Sequence, residues 1–318
     1  MTVGAGTEPT HHRWVVPPLD GPITGGTLYN RFLSEALIRR GDRVDVMETL
    51  EGCDDFVWVD SLFLPDVAEQ WRQRPMGLLT HYLPSVSEGR TALESFEVAA
   101  LRHAAIVVCT GAWMQETVAQ LGVPRERLTL VEPGVSQAAS MVDPCTGAVI
   151  ALLVGSVTRG KGVLELIEGL RSSSPTQPWR LEVLGDRGTD PAYARACEAV
   201  ATGLPVTFLG ARPPAEALAI IARAHVLVSA SRSESYGMAI AEAQACGVPV
   251  LARRGGNVAQ LVRRVPSGEV VDDVTSLVVA LHRYIANRGH LADLREISRA
   301  HRPKRTWDDA AAEFRRLR

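Results

Sequence analysis

What most constrains this chain is an alternation that runs through it twice: short stretches rich in Val and Leu, each followed by a segment whose apolar residues recur at helical spacing. In the first pass the stretches are Trp14–Val16, Arg43–Met47, Phe56–Val59, Met76–Leu79, Ala105–Cys109 and Leu128–Val131, with a helix over Leu28–Arg40. In the second they are Ala148–Val154, Arg180–Leu184, Val206–Leu209, Val226–Ser229 and Val248–Ala252, with helices over Val163–Leu170, Tyr193–Ala201 and Ala215–Ala224. Near-continuous apolar runs suit strands buried on both faces, and strands alternating with helices predict parallel α/β units. Pro133-Gly134, Pro144 and Gly147 interrupt the pattern and mark a boundary over Glu132–Thr146. The expectation is two Rossmann-like, doubly wound domains facing across a cleft, over residues 14–140 and 146–300, which the 318-residue length accommodates. Trp307, Ala310, Ala311, Phe314 and Leu317 follow helical spacing and predict an amphipathic helix within residues 301–318.

Several classes are excluded at this point. No apolar run approaches the roughly 18 residues of a spanning helix, and a composition of 46% hydrophobic and 22% charged residues is that of a folded globular chain. Met1 to Arg13, which includes His11 and His12, has no apolar stretch and reads as a loose tail rather than a leader, which points to the cytoplasm. Cys53, Cys109, Cys145, Cys197 and Cys246 are scattered without a C-x-x-C pair, so neither a disulfide framework nor a zinc site is expected. A net charge of −2 argues against a nucleic-acid binder. The first 145 residues nevertheless carry net −8 and the remainder net +6, a division that suits a small anionic ligand held mainly by the second half, or a chance partition of solvated charge.

Four places combine residue types that suit chemistry. Ser231 to Val250 runs from the end of a strand through a glycine-containing turn into a helix, so that the N–H groups of Tyr236, Gly237 and Met238 fall at a helix N-terminus, where an anion is favoured. Glu234 precedes that helix and Glu242 lies about two turns along it, positions that suit carboxylates gripping hydroxyls on either side of a phosphate. An ordinary strand-to-helix connection with solvated glutamates fits the same residues. Gly155 to Gly162 holds Ser156, Arg159 and Lys161, and only Lys161 and Lys304 among the 34 basic residues are lysines. A cation is disfavoured at a helix start unless it has an anion to meet. Gly25 and Gly26 sit in a turn where a missing Cβ lets a ligand lie on the backbone. His81 follows an apolar strand, where it is placed either to donate to a substrate hydroxyl or to serve as a satisfied structural residue.

The run from Glu234 to Glu242 resembles the E-x7-E signature of the retaining glycosyltransferases of family 4, with Ser231, Gly237, Ala243, Ala245, Gly247, Pro249 and Val250 also in place. Ser235 and Ala259 depart from the pattern at a glycine and a glutamate. The segment around Lys161 is similar to the family's G-R-x-x-x-x-K-G phosphate loop, although Ser156 stands where arginine is common, which removes a bidentate clamp that Arg159 is the nearest candidate to replace. The resemblance implies a GT-B architecture, with residues 301–318 crossing back to the N-terminal, acceptor-binding domain. It implies transfer of a hexose from a UDP- or GDP-linked sugar to an acceptor hydroxyl with retention, no bound metal and no cofactor beyond the donor. In that reading His81, Lys161 and Glu234 are catalytic, while Gly25, Gly26, Ser156, Arg159, Tyr236, Gly237, Met238 and Glu242 bind the donor. The partners are a nucleotide sugar and an acceptor that is a small molecule, glycan or lipid, the last allowing peripheral membrane contact. Nucleobase selection falls to the loops holding Gly185, Gly210 and Arg212. The alternatives are a sugar-nucleotide-binding protein without turnover, for which Ser156 speaks, or a phosphorylase or epimerase on the same fold.

Overall fold

The computed structural model describes residues 9–50, 55–65, 67, 76–90, 92–136, 147–173 and 175–317. Cys53, Cys145, Pro144 and the tail up to Glu8 lie outside them. The chain forms two compact units, Met1–Gly134 with Thr306–Arg318, and Val135–Arg305.

The first unit is built on six strands, β1 (His11–Val15), β2 (Arg43–Met47), β3 (Trp58–Asp60), β4 (Gly77–Thr80), β5 (Ile106–Cys109) and β6 (Leu128–Leu130). They form one parallel sheet in the order β2-β1-β3-β4-β5-β6. The expected tail is shorter than the sequence suggests, because His11 and His12 belong to β1, paired with Arg43 and Val44 of β2. The reason is non-local: Asp42, fully buried, accepts from the Thr10 N–H at 2.9 Å and lies 3.2 Å from His12 Nε2 and 3.0 Å from Arg315 Nε. The His12 ring also packs on Phe314 at 5.5 Å between centroids. The C-terminal helix Trp307–Phe314 is part of this unit, burying Trp307 against Tyr29 and Phe314 against Trp14 and Trp58.

The second unit carries β7 (Val149–Val154), β8 (Trp179–Leu184), β9 (Val206–Gly210), β10 (Val226–Ser229), β11 (Val250–Arg253) and β12 (Glu269–Val271). All are parallel, in the order β12-β11-β10-β7-β8-β9. Counted within the unit this is the 3-2-1-4-5-6 order of the Rossmann fold, and the chain reverses direction across the sheet between β7 and β10. Central β7 shows why the run had to be apolar throughout. Val149, Ala151 and Leu153 enter one core with the helices Val163–Ser172 and Val274–Ala286, and Ile150 and Leu152 enter the other with Met238–Ala245. Edge strand β12 and the helices Val274–Ala286 and Arg288–Ala300 were not foreseen from the sequence. Among the described residues no helix is long and apolar enough to cross a membrane.

Candidate functional site

In open α/β sheets ligands bind beyond the carboxyl ends of the strands, where the strand order reverses. In the second unit that place is framed by the segments following β7 and β10, which hold Lys161 and Glu234. Backbone contacts join the two segments. The Gly160 carbonyl accepts from the Arg232 N–H at 2.8 Å. Gly162 has φ +64° and lies so close to the Ala230 carbonyl that a Cβ would overlap it, so both its conformation and its surroundings require glycine. Glu234 is held from the other side, its carbonyl accepting from the Asn257 N–H at 2.8 Å, while buried Asn257 donates through Nδ2 to the Tyr236 carbonyl at 3.1 Å. The outcome is a contact between residues far apart in sequence: Lys161 Nζ donates to Glu234 Oε1 at 2.6 Å, with side-chain exposures of 29% and 17%. Lys161 therefore meets its anion at the helix start, in a partly screened setting where a charge-assisted bond is stronger than at an open surface.

The helix Met238–Ala245 begins at Gly237, whose φ of +102° is the left-handed conformation that glycine accepts without strain. Among the described residues no side chain caps this end and its first turn holds no acidic residue, an electrostatic arrangement that favours an anion near the helix start. Tyr236 is buried and its carbonyl is taken by Asn257. Glu242 comes just over one turn after the helix start, closer than the two turns expected, because Tyr236 and Gly237 precede the helix. Burial pushes the Glu242 carboxyl up from 4.5 to about 7. The folded protein then keeps a proton that the unfolded chain releases above pH 4.5, so this group favours folding fully below that pH and the benefit is lost as pH rises through about 7. Glu242→Gln is expected to raise unfolding free energy at pH 8 by about 3 kcal/mol relative to pH 4, compared with the parent. Melting temperatures across that range test it, and parallel profiles for the two proteins would refute it.

The other expected donor-binding residues are placed differently. Ser156 has no side-chain hydrogen bond among the described residues. Arg159 turns to the start of the helix Pro191–Ala201, with Nε 3.8 Å from Asp190 Oδ2 and its guanidinium 5.4 Å from the Tyr193 ring centre. The arginine missing at position 156 is thus not replaced by Arg159 in this arrangement.

In the first unit Gly25 and Gly26 do not form a turn. They open the helix Gly25–Arg39, three residues earlier than the sequence pattern indicates, because Thr24 and Thr27 form a reciprocal capping box. Gly26 lies against the His81 ring, where a Cβ would come within 3.4 Å of its Cγ. His81 sits just past β4 with its Nε2 2.8 Å from Asn30 Oδ1 and 3.6 Å from Asp60 Oδ2. Burial lowers the His81 pKa from its ordinary value, with the Asp60 charge opposing the shift, which favours the neutral imidazole. Asn30 and Asp60 are functional candidates that sequence reasoning missed. The available signal was polar residues in apolar settings, Asp60 closing a buried strand and Asn30 on the buried face of a helix. Among the described residues no group of three or more His, Cys, Asp or Glu side chains is disposed to hold a metal ion.

Two Rossmann-like units with these parallel sheets define a GT-B fold. Sucrose-phosphate synthase of Thermosynechococcus elongatus superposes with a TM-score of 0.78 at 20% identity, over 97% of this chain and 98% of that one. HepE of Anabaena, solved with UDP-glucose, superposes at 0.76 and 16% identity, over 96% and 98%. More narrowly, residues 145–301 match the family described as glycosyl transferases group 1. Among curated relatives, a D-inositol 3-phosphate glycosyltransferase of Thermobifida fusca is 26% identical over 280 residues, 87% of this chain and 58% of that protein. Another of the same name, from Xylanimonas cellulosilytica, is 30% identical over 253 residues, 71% and 58%. The chain thus spans somewhat over half the length of these relatives. The superpositions establish the GT-B fold, and the family match and relatives show that the second unit resembles the group 1 glycosyl transferases.

Proposed function

We propose that this protein is a retaining glycosyltransferase that moves a hexose from a UDP- or GDP-linked sugar to an acceptor hydroxyl without a bound metal. The observation that carries the reading is the Lys161–Glu234 pair at the point where the Rossmann-ordered sheet reverses, beside an uncapped helix N-terminus. In the reaction the bond between the anomeric carbon and the diphosphate oxygen breaks, and its electron pair leaves with the phosphate. The acceptor oxygen bonds to that carbon on the same face, and its proton passes to the departing phosphate. The chemical requirement is stabilisation of the leaving diphosphate, which fixed dipoles and cations in a partly dry site supply efficiently. Lys161 and the amides after Gly237 fill that role. Glu234 takes sugar hydroxyls, Glu242 the ribose, and His81 a substrate hydroxyl. The similarity to glycosyltransferases named for D-inositol 3-phosphate makes a phosphorylated polyol the first acceptor to try, and HepE solved with UDP-glucose makes UDP the first nucleotide. The buried free thiols Cys109, Cys197 and Cys246 fit a cytoplasmic setting.

One observation favours a second reading, a nucleotide-sugar-binding protein without turnover: Ser156 lacks the arginine of the resemblance and Arg159 is engaged by Asp190 and Tyr193. Thermal unfolding with UDP, GDP and their sugars, followed by assay of donor consumption, separates the two. Saturation at 100 times Kd adds about 2.7 kcal/mol, a rise of several degrees. A rise with one nucleotide and slow loss of its sugar is expected of the transferase. A rise without turnover belongs to the binder, and no rise with any nucleotide refutes both.

A further inference from the structure

The first unit holds a polar constellation that the sequence pattern did not indicate. Asp60 closes β3 and is fully buried, Asn30 is fully buried on the helix Gly25–Arg39, and His81 follows β4. Asp60 Oδ1 accepts from the Leu62 N–H at 2.9 Å, and Oδ2 accepts from Asn30 Nδ2 at 2.6 Å. A carboxylate only accepts, so the end of the Asn30 amide that faces it is the NH2. Its other end is then the carbonyl, and His81 Nε2, 2.8 Å away, must be the donor. We propose that Asn30 and Asp60 are positioning residues that lock His81 as its Nε2–H tautomer, so that the nitrogen left for a ligand, Nδ1, is an unprotonated acceptor for a substrate hydroxyl.

Three further observations support the lock. The ring is fixed in place, with Tyr29 at 4.8 Å between centroids in an edge-on arrangement and Gly26 against its Cγ. The backbone bearing it is tied down too, since Ser61 Oγ accepts from both the His81 and the Tyr82 N–H, at 3.1 and 3.0 Å. Nδ1 itself has no partner among the described residues. A neutral imidazole that donates through one nitrogen has a lone pair at the other, which gives His81 the opposite sense to the donor expected from its position in the sequence. The place is also right: the order of the first sheet reverses between β1 and β3, and Asp60 lies at the carboxyl end of β3. The substrate hydroxyl in this inference rests on the glycosyltransferase reading, whereas the tautomer does not.

Long-range 1H–15N correlation on the full chain with 15N-labelled histidine tests it. The parent protein is expected to show His81 with a protonated Nε2 and an unprotonated Nδ1. In Asp60→Asn the new amide keeps its oxygen toward the Leu62 N–H and turns its NH2 to Asn30. The Asn30 amide then reverses, its NH2 faces His81 Nε2, and the proton moves to Nδ1. The two nitrogen signals exchange character. With an active donor and acceptor pair kcat falls at least tenfold, while the Kd for UDP or GDP in the second unit stays unchanged. A parent spectrum with Nδ1 protonated overturns the lock even if the variant does not fold, as does a well-folded variant with unchanged signals, whereas exchanged signals with unchanged kcat overturn Nδ1 as the acceptor for a substrate hydroxyl. The expected spectrum in a protein that consumes no nucleotide sugar supports the lock and overturns the transferase reading, so the two fail separately.

Discussion

Lys161→Ala is expected to lower kcat/KM for the nucleotide sugar by about 10²–10³, the effect of removing a preorganised group from a developing charge, and to abolish the thermal shift given by the nucleotide. The expectation follows from what else is available. Arg159 is held at Asp190 and Tyr193, and position 156 is serine, so Lys161 is the cation that the geometry brings to Glu234 and the site beside the helix start. The helix amides remain in the variant but carry only partial charge. The effect on folding is of a different order. Lys161 and Glu234 are partly exposed, so losing their bond costs about 1 kcal/mol after screening. A variant that melts within a few degrees of the parent yet neither binds nor turns over the donor is therefore the expected outcome. Lys161→Arg serves as a control for charge alone, because a guanidinium keeps the charge but presents a planar fork to a position built for a compact ammonium. Full activity in Lys161→Ala would remove the site from consideration.

The parts of this design that were legible in the sequence are those whose physics is local. β7 announces itself because a strand buried on both faces must be apolar at every position, as the two cores flanking it show. Lys161, Glu234 and Glu242 stand in short motifs whose glycines have a conformational reason, and the structure supplies it at Gly162 and Gly237. What was not legible depends on partners distant in the chain. His11 and His12 look like tail residues until Asp45 is placed beside the first and Asp42 and Phe314 beside the second, and three-residue, half-buried β12 is too short to show a period. Gly25 and Gly26 look like a turn because the capping box that makes them helical lies in two threonines rather than in an apolar pattern. Asn30 and Asp60 are single polar residues in apolar surroundings. Nothing in their spacing relative to His81 tells that a helix and two strand ends bring the three into one hydrogen-bonded chain. The direction of Arg159 is the same kind of fact, set by the start of a helix more than thirty residues on.

Glu234→Gln separates two consequences of a single contact. The Glu234 carboxylate occupies the Lys161 ammonium at 2.6 Å. A diphosphate that takes Lys161 has to displace that carboxylate, and the displaced carboxylate is then free to accept from the hydroxyls of the sugar. Glutamine has nearly the same shape, still accepts through its amide oxygen and lacks the charge that competes for the ammonium. A hydrogen bond to a charged group contributes about 1.5–3 kcal/mol, and each 1.4 kcal/mol is a factor of ten. Transfer is therefore expected to fall by at least tenfold and up to about a hundredfold in Glu234→Gln. The bare nucleoside diphosphate, which has no sugar to lose, is expected to bind the variant several-fold more tightly than the parent. Calorimetric titration with UDP or GDP alone, beside steady-state kinetics with the sugar nucleotide, reads the two quantities independently. A purely structural role for Glu234 predicts that both weaken together through a loosened loop. A role confined to the sugar predicts weaker transfer with unchanged diphosphate affinity. Opposite signs in the two assays arise only if Glu234 holds Lys161 until the donor arrives, which would make exchange of the Lys161–Glu234 pair for a diphosphate the first step of binding.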